Sequence, residues 1–214
     1  MKLYSYFRSS AAYRARIALN VKGLSYDYVA KHLLKDGGEH KRADYLAINP
    51  QGFIPALEHD GALITQSVAI IEYLEEMFPT PSLLPTRPVD RAIVRAMAQL
   101  IACDIHPLNN LRVLNYLKAP LGQENDAVTE WYKHWIAEGF AALEQLIAMH
   151  SGEKRYCFGD AVTMADVLLV PQVANSRRYK MDLSRYPALQ TVTTHLETLP
   201  AFLAARPEVQ PDAE

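Results

Sequence analysis

Four prolines in ten residues, Pro79-Thr80-Pro81-Ser82-Leu83-Leu84-Pro85-Thr86-Arg87-Pro88, cut the chain into two unlike halves. Proline fixes its own φ and has no amide hydrogen, so neither a helix nor a central strand runs through such a stretch. Ahead of it, residues 3–7 alternate like a strand, residues 11–22 have helical spacing and stop at Gly23, and residues 26–30 are strand-like again. A βαβ unit compressed into about thirty residues implies parallel strands and a right-handed crossover. A short helical piece over residues 39–46 follows, and His59-Asp60-Gly61 then reads as the turn of an antiparallel hairpin between residues 55–58 and 62–65. Ser67 is placed to cap a helix with Ile70, Ile71, Leu74, Met77 and Phe78 on one face.

Behind the prolines only helical periods remain, over residues 90–116 with an interruption at Pro107, then 126–149, 163–174 and 187–199. The expected architecture is therefore α/β plus all-α. It comprises a first domain over residues 1–80, a linker over 81–88 and a helical domain over 89–214, with residues 206–214 as a tail.

Twenty-two basic and 24 acidic residues leave a net charge of −2, which argues against a broad basic face for nucleic acid. The longest apolar runs fall far below the roughly 20 residues of a membrane span. Met1-Lys2-Leu3-Tyr4 leads into strand pattern without a secretory h-region, so the cytoplasm is the expected location. Cys103 and Cys157 form no C-x-x-C pair, and the seven histidines show no paired-ligand spacing, so no metal is expected.

Chemistry concentrates at helix starts. Ser9 and Ser10 fall at a strand-to-helix turn, where the first amide N–H groups of the helix lack partners. One reading is a serine N-cap; the other is that the positive helix end and a hydroxyl stabilise an anion such as a thiolate. The two can both hold, one per serine. Gln66-Ser67 repeats the device and suits a carboxylate, although by pattern alone a plain cap and a surface amide are the readier account. Thr163-x-x-Asp166 ahead of an apolar run is a capping box, which makes Asp166 structural, as is Asp160 in the adjoining turn. Trp131, Trp135 and Phe140 read as core residues.

Together these segments resemble the zeta class of glutathione transferases, the group of the maleylacetoacetate and maleylpyruvate isomerases. The motifs that carry the likeness are Tyr4-Ser5-Tyr6-Phe7-Arg8-Ser9-Ser10 with Arg14-x-Arg16, Asn49-Pro50-Gln51-Gly52-Phe53-Ile54-Pro55, Gln66-Ser67, and Thr163-Met164-Ala165-Asp166 with Val170-Pro171-Gln172. The resemblance implies a thioredoxin-like domain followed by a helical one, glutathione as the cofactor, and a homodimer. It also implies that Ser9 holds the glutathione thiolate with Ser10 as helper. Pro55 would be cis, with Ile54 pairing its backbone to the cysteinyl part. Gln66 and Ser67 would take the γ-glutamyl end, and Gln51 and His40 would lie near the glycyl end. His32 is read as structural. The zeta motif often continues Ser-Ser-Cys; Ala11 stands here instead, which removes any chemistry of that cysteine.

A maleyl-type substrate carries two carboxylates, and arginine binds carboxylate through a planar two-toothed fork. Arg8, Arg112 and Arg178 are the candidates, with His106 beside them. A solvated surface arginine is the ordinary alternative, which the resemblance reverses for Arg8 and Arg178. The implied activity is cis-trans isomerisation by reversible thiolate addition to the double bond, with Arg8 taking part in catalysis. A general transferase conjugating electrophiles or halogenated acids is one rival. A non-catalytic binding module of the same fold is another.

Overall fold

A computed structural model describes all of residues 1–214 and divides the chain into two compact units, Met1–Leu83 with Thr198–Glu214, and Leu84–Glu197. In the first unit, β1 (Lys2–Ser5), α1 (Ser10–Val21) and β2 (Asp27–Ala30) form the expected βαβ element. Two short 3-10 turns, Lys35–Gly37 and Glu39–Lys41, precede α2 (Ala43–Ile48), followed by the hairpin β3 (Ala56–His59) and β4 (Ala62–Thr65) and by α3 (Ser67–Met77). The sheet order is β2-β1-β3-β4. β2 is parallel to β1, and the other pairings are antiparallel, with Tyr4 opposite Ala56 and Ala56 opposite Thr65.

That register sets up the chemistry. The end of β1, the start of β3 and the end of β4 all lie at one end of the sheet, so the segments joined to them are neighbours in space.

α1 is buried almost all round, from Ser10 through Leu19 apart from Ala11, and this includes Arg14 and Arg16. α2 contributes Tyr45 to a core with Tyr4, Tyr6, Phe7, Ala12, Ile54 and Ala56. Burying each such large side chain is worth about 1.5–3 kcal/mol.

The carboxyl-terminal residues depart from expectation. The period over residues 187–199 resolves into α8 (Pro187–Leu196), which stays in the helical unit, and α9 (Pro200–Ala205), which packs on α1. Residues 206–214 form no loose tail, and the expected domain over 89–214 does not close on itself. Pro200 begins a new helix because proline suits a first turn and cannot continue one.

The helical unit holds α4 (Pro88–Gln99), α5 (Leu111–Lys118), α6 (Asn125–His150), α7 (Met164–Arg178) and α8. α4 runs on into a π-helical turn, Leu100–Ile105, so the break in the expected helix over 90–116 comes ahead of Pro107. Gly139 of α6 faces this turn: a Cβ there would stand 2.3 Å from Ile105 Cδ1, so any larger residue would force the Ile105 side chain to shift. α7 is buried along most of its length, and Asp166 closes its capping box, accepting from Thr163 N–H, Thr163 Oγ1 and Cys157 N–H at 2.7 Å each. Phe140 is buried as expected, whereas Trp131 and Trp135 are only half-buried. Trp131 spans core and surface because its Nε1–H donates to the Leu108 carbonyl at 2.9 Å.

Candidate active site

At the end of the sheet where β1 stops, the chain turns through Tyr6, Phe7 and Arg8 into α1. Ser9 is the N-cap with φ −70° and ψ 114°, and its Oγ accepts the Ala12 N–H at 3.2 Å. A hydroxyl accepts and donates at once, so a capping serine keeps its own proton for an acceptor in front of the helix. The cap thus falls on Ser9 rather than Ser10. Ser10 is the first helical residue and is buried, while Arg8 is exposed, its guanidinium 5.0 Å over the Phe7 ring.

Arg16 anchors this turn from inside the helix. Its guanidinium donates to Ser5 Oγ at 3.1 Å, to the Tyr6 and Phe7 carbonyls at 3.4 and 3.1 Å, and through Nε to the Ala205 carbonyl at 3.0 Å. The Ser9 N–H closes on the Tyr6 carbonyl at 3.0 Å.

The loop before β3 is braced just as heavily. Tyr45 Oη and Asn49 Nδ2 both donate to the Phe53 carbonyl, at 2.6 and 2.8 Å. Gly52 has φ +61°, and a Cβ would come within 3.0 Å of the His40 carbonyl. The Ile54-Pro55 bond is cis, and Ile54 lies outside the ladder, which begins at Ala56.

At the end of β4, Gln66 has φ +70°, an unusual value for a residue with a side chain and one that clusters at binding sites. Its Nε2 donates to Gln51 Oε1 at 2.7 Å, which joins the two loops. Ser67 is not the expected cap. Gln66 occupies the N-cap position without a side-chain bond, and Ser67 is the first residue of α3, buried, with its Oγ accepting from Arg14 Nη1 at 3.4 Å.

His40 is half-buried in the turn against Gly52, its Nδ1 without a partner. Burial first, then Lys41, lowers its pKa below the ordinary 6.5. His32 serves structure as expected: its Nδ1 accepts from the Leu34 and Lys35 N–H groups, and its ring packs edge-on to Tyr6.

The remaining predicted residues are in the helical unit. Asn110 caps α5 by accepting the Arg112 N–H at 3.1 Å, and Arg112 is exposed in the first turn. The segment from His106 to Arg112 is fastened to α6 by Trp131 Nε1 and by Asn109 Nδ2, which donates to the Tyr132 carbonyl at 3.0 Å. Arg178 ends α7, where its Nη2 donates to Asn175 Oδ1 at 3.1 Å. Tyr132 stacks on Tyr179 with ring centroids 3.6 Å apart. Burial pushes the Tyr132 hydroxyl up to about 12, against the pull of Arg178. α6 is thus the element common to the two cation-bearing segments.

Arg14, Arg16, Asn49 and Gln66 stand in the motifs quoted above, but sequence patterns gave no bracing role to them or to Tyr45 and no left-handed backbone to Gln66. Two arginines inside an otherwise apolar helix are the one visible signal, since charged residues seldom sit fully inside unless paired.

A four-stranded sheet of this order, with a serine at the first helix start, a cis-proline loop and a polar second helix start, followed by a helical unit, defines the architecture of a glutathione transferase. Residues 1–76 match the family model "Glutathione S-transferase, N-terminal domain", and residues 125–195 match "Glutathione S-transferase, C-terminal domain". The chain is 50% identical over 211 residues to a probable maleylacetoacetate isomerase of Vibrio cholerae, covering 99% of this chain and 97% of the relative. It is 46% identical to a maleylpyruvate isomerase of Ralstonia over the full length of both. Among solved structures, a holo maleylpyruvate isomerase of the zeta class superposes with a TM-score of 0.96 at 46% identity over all of both chains. A maleylacetoacetate isomerase of Methylobacterium extorquens with bound malonate and GSH gives 0.93 at 39%, again over all of both chains. The chain belongs to the zeta-class glutathione transferases, in the group of maleylacetoacetate and maleylpyruvate isomerases.

Proposed function

We propose that this protein is a glutathione-dependent cis-trans isomerase that converts a maleyl-type dicarboxylate, maleylacetoacetate or maleylpyruvate, to its fumaryl isomer in the breakdown of aromatic compounds. The observation that carries the reading is Ser9 at the start of α1, its Oγ accepting the Ala12 N–H as a cap, with Arg8 next to it; a hydroxyl that accepts can also donate, so the same group suits an anion. When bound, glutathione supplies a thiolate that adds reversibly to the activated double bond, which frees that bond to rotate before the thiolate leaves.

The residues of the chain suit that guest. Ser9 and the helix end hold negative charge on sulfur, with Ser10 as helper. Ile54 offers a backbone N–H and C=O to an extended peptide. Gln66 and Ser67, at the start of α3, suit an α-amino acid end. Gln51, tied to Gln66, and His40 suit the glycyl end. Arg8, Arg178, Arg112 and His106 are proposed to bind substrate carboxylates, and Arg8 and Arg178 also to stabilise the charge that develops next to the carbonyl. The malonate in the Methylobacterium relative supports a dicarboxylate substrate. A homodimer in the cytoplasm is proposed by analogy; no helix is long and apolar enough to cross a membrane.

The test is to mix the protein with maleylpyruvate or maleylacetoacetate, with and without glutathione, and to follow both the ultraviolet change and the thiol titre. Isomerisation at constant thiol is expected. Loss of thiol would identify a conjugating transferase, and no change in either would identify a binding module.

A further inference from the structure

The turn that presents Ser9 is held from two sides. Arg16 grips its carbonyls from within α1, and the carboxyl-terminal segment grips its amide. Asp212 Oδ2 accepts the Phe7 N–H at 3.1 Å, and Asp212 Oδ1 accepts the Tyr28 hydroxyl at 2.6 Å. The segment is itself seated: Gln210 is buried, with its Nε2 donating to the Ala204 and Arg206 carbonyls, and Glu214 pairs with Lys35.

From Phe7 the path to the chemistry is short. The Ser9 N–H bonds the Tyr6 carbonyl, so a displacement of the Phe7 amide turns the N-cap residue directly. A carboxylate accepting a backbone N–H is a charge-assisted bond, stronger than a neutral one. A residue more than two hundred positions away in sequence is thereby built into the loop.

We propose that Asp212 is a positioning residue for the thiolate-binding serine: by fixing the Phe7 amide between β2 and the carboxyl-terminal segment, it sets where Ser9 Oγ points. The inference rests on the reading of Ser9 given above and adds a residue of the first unit's closing segment to the same site. Asp212 does not touch the reacting atoms.

Two effects of Asp212 have opposite signs. Its negative charge disfavours a nearby thiolate, so loss of charge alone would move the acid limb of the kcat profile to lower pH. Loss of positioning weakens the hold of Ser9 on the thiolate and moves that limb to higher pH. Asp212→Ala removes both charge and bond; Asp212→Asn removes the charge and keeps an oxygen for the Phe7 amide.

The experiment measures kcat, KM for glutathione and the pH profile of isomerisation in the full chain carrying Asp212→Ala, Asp212→Asn, Tyr28→Phe or Ser9→Ala. Asp212→Ala is expected to lower kcat about tenfold, as small misplacements of catalytic groups do, with the acid limb shifted upward. Asp212→Asn should stay within about twofold of the parent. Tyr28→Phe removes one anchor of the carboxylate and should shift the limb in the same direction by less; if Asp212→Ala fails to fold, this variant decides, and an unmoved limb overturns the proposal. An Asp212→Ala protein with parental kcat and profile overturns it too, as does Asp212→Asn impaired as badly as Asp212→Ala. Impaired Ser9→Ala beside intact Asp212→Ala refutes the positioning alone, whereas parental activity in Ser9→Ala refutes the functional reading and the positioning with it.

Discussion

In the proposed function one hydroxyl, that of Ser9, serves fold and chemistry together. Its lone pair satisfies an orphan amide of α1, and a hydroxyl that accepts in this way can still donate its proton. Ser9→Ala should therefore cost about 1 kcal/mol of stability for the lost cap. It should also lower kcat about ten- to a hundredfold, the range of a hydrogen bond to a charged group. Ser10→Ala, at a buried helical position, should lower kcat less. Urea melts and steady-state rates on the two variants separate these effects, and equal, near-parental rates in both would refute the assignment. The serine pair and the Gln66-Ser67 pair are readable as residue types next to helix starts. The conformation of Gln66 is not, because nothing local requires φ +70° of a glutamine; its bond to Gln51, brought alongside by the antiparallel register, accompanies that shape.

Among elements, the decisive contact joins the end of α1 to the end of α3. Lys22 Nζ is buried and donates to Glu75 Oε2 at 2.8 Å, to the Phe78 carbonyl at 2.6 Å and to the Pro81 carbonyl at 2.9 Å. Glu75 also accepts from Ser82 Oγ at 2.5 Å and from the Leu83 N–H at 2.9 Å. The proline-rich stretch is thus pinned at its first turn rather than left as a free linker. Burial alone would raise the Glu75 carboxyl, but Lys22, Ser82 and the Leu83 amide outweigh it and hold the carboxyl below its ordinary 4.5. Since the folded state binds this proton more weakly than the unfolded chain, the stabilisation is full above the ordinary value and is lost as pH falls through the lowered one. Glu75→Gln should destabilise the protein by about 3–5 kcal/mol near neutrality, because the Lys22 charge stays buried without its partner. The gap between parent and variant in chemical denaturation should close as the solution is acidified below 4.5; a gap independent of pH would count against the pair. Replacing both residues with apolar ones should not restore stability, since the Phe78 and Pro81 carbonyls would lose their donor.

For the whole molecule, the family analogy makes a two-fold dimer the expected assembly, so sedimentation equilibrium should give twice the monomer mass; a monomer at micromolar concentration would refute it. Periodicity alone yields the βαβ opening, the hairpin at Asp60-Gly61, the proline break and the helical remainder, because each follows from the local repeat of apolar side chains and from the backbone limits of proline and glycine. The capping box at Thr163 and Asp166 is legible for the same reason, its partners lying three residues apart. What sequence could not convey is contact between remote segments. The return of Thr198–Glu214 to the first unit brings together remote segments, and within it the bond from the Phe7 amide to Asp212 and that from Arg16 to the Ala205 carbonyl join residues more than 180 positions apart. Side-chain pattern records which face of an element is buried; only the packed chain decides what that face is buried against.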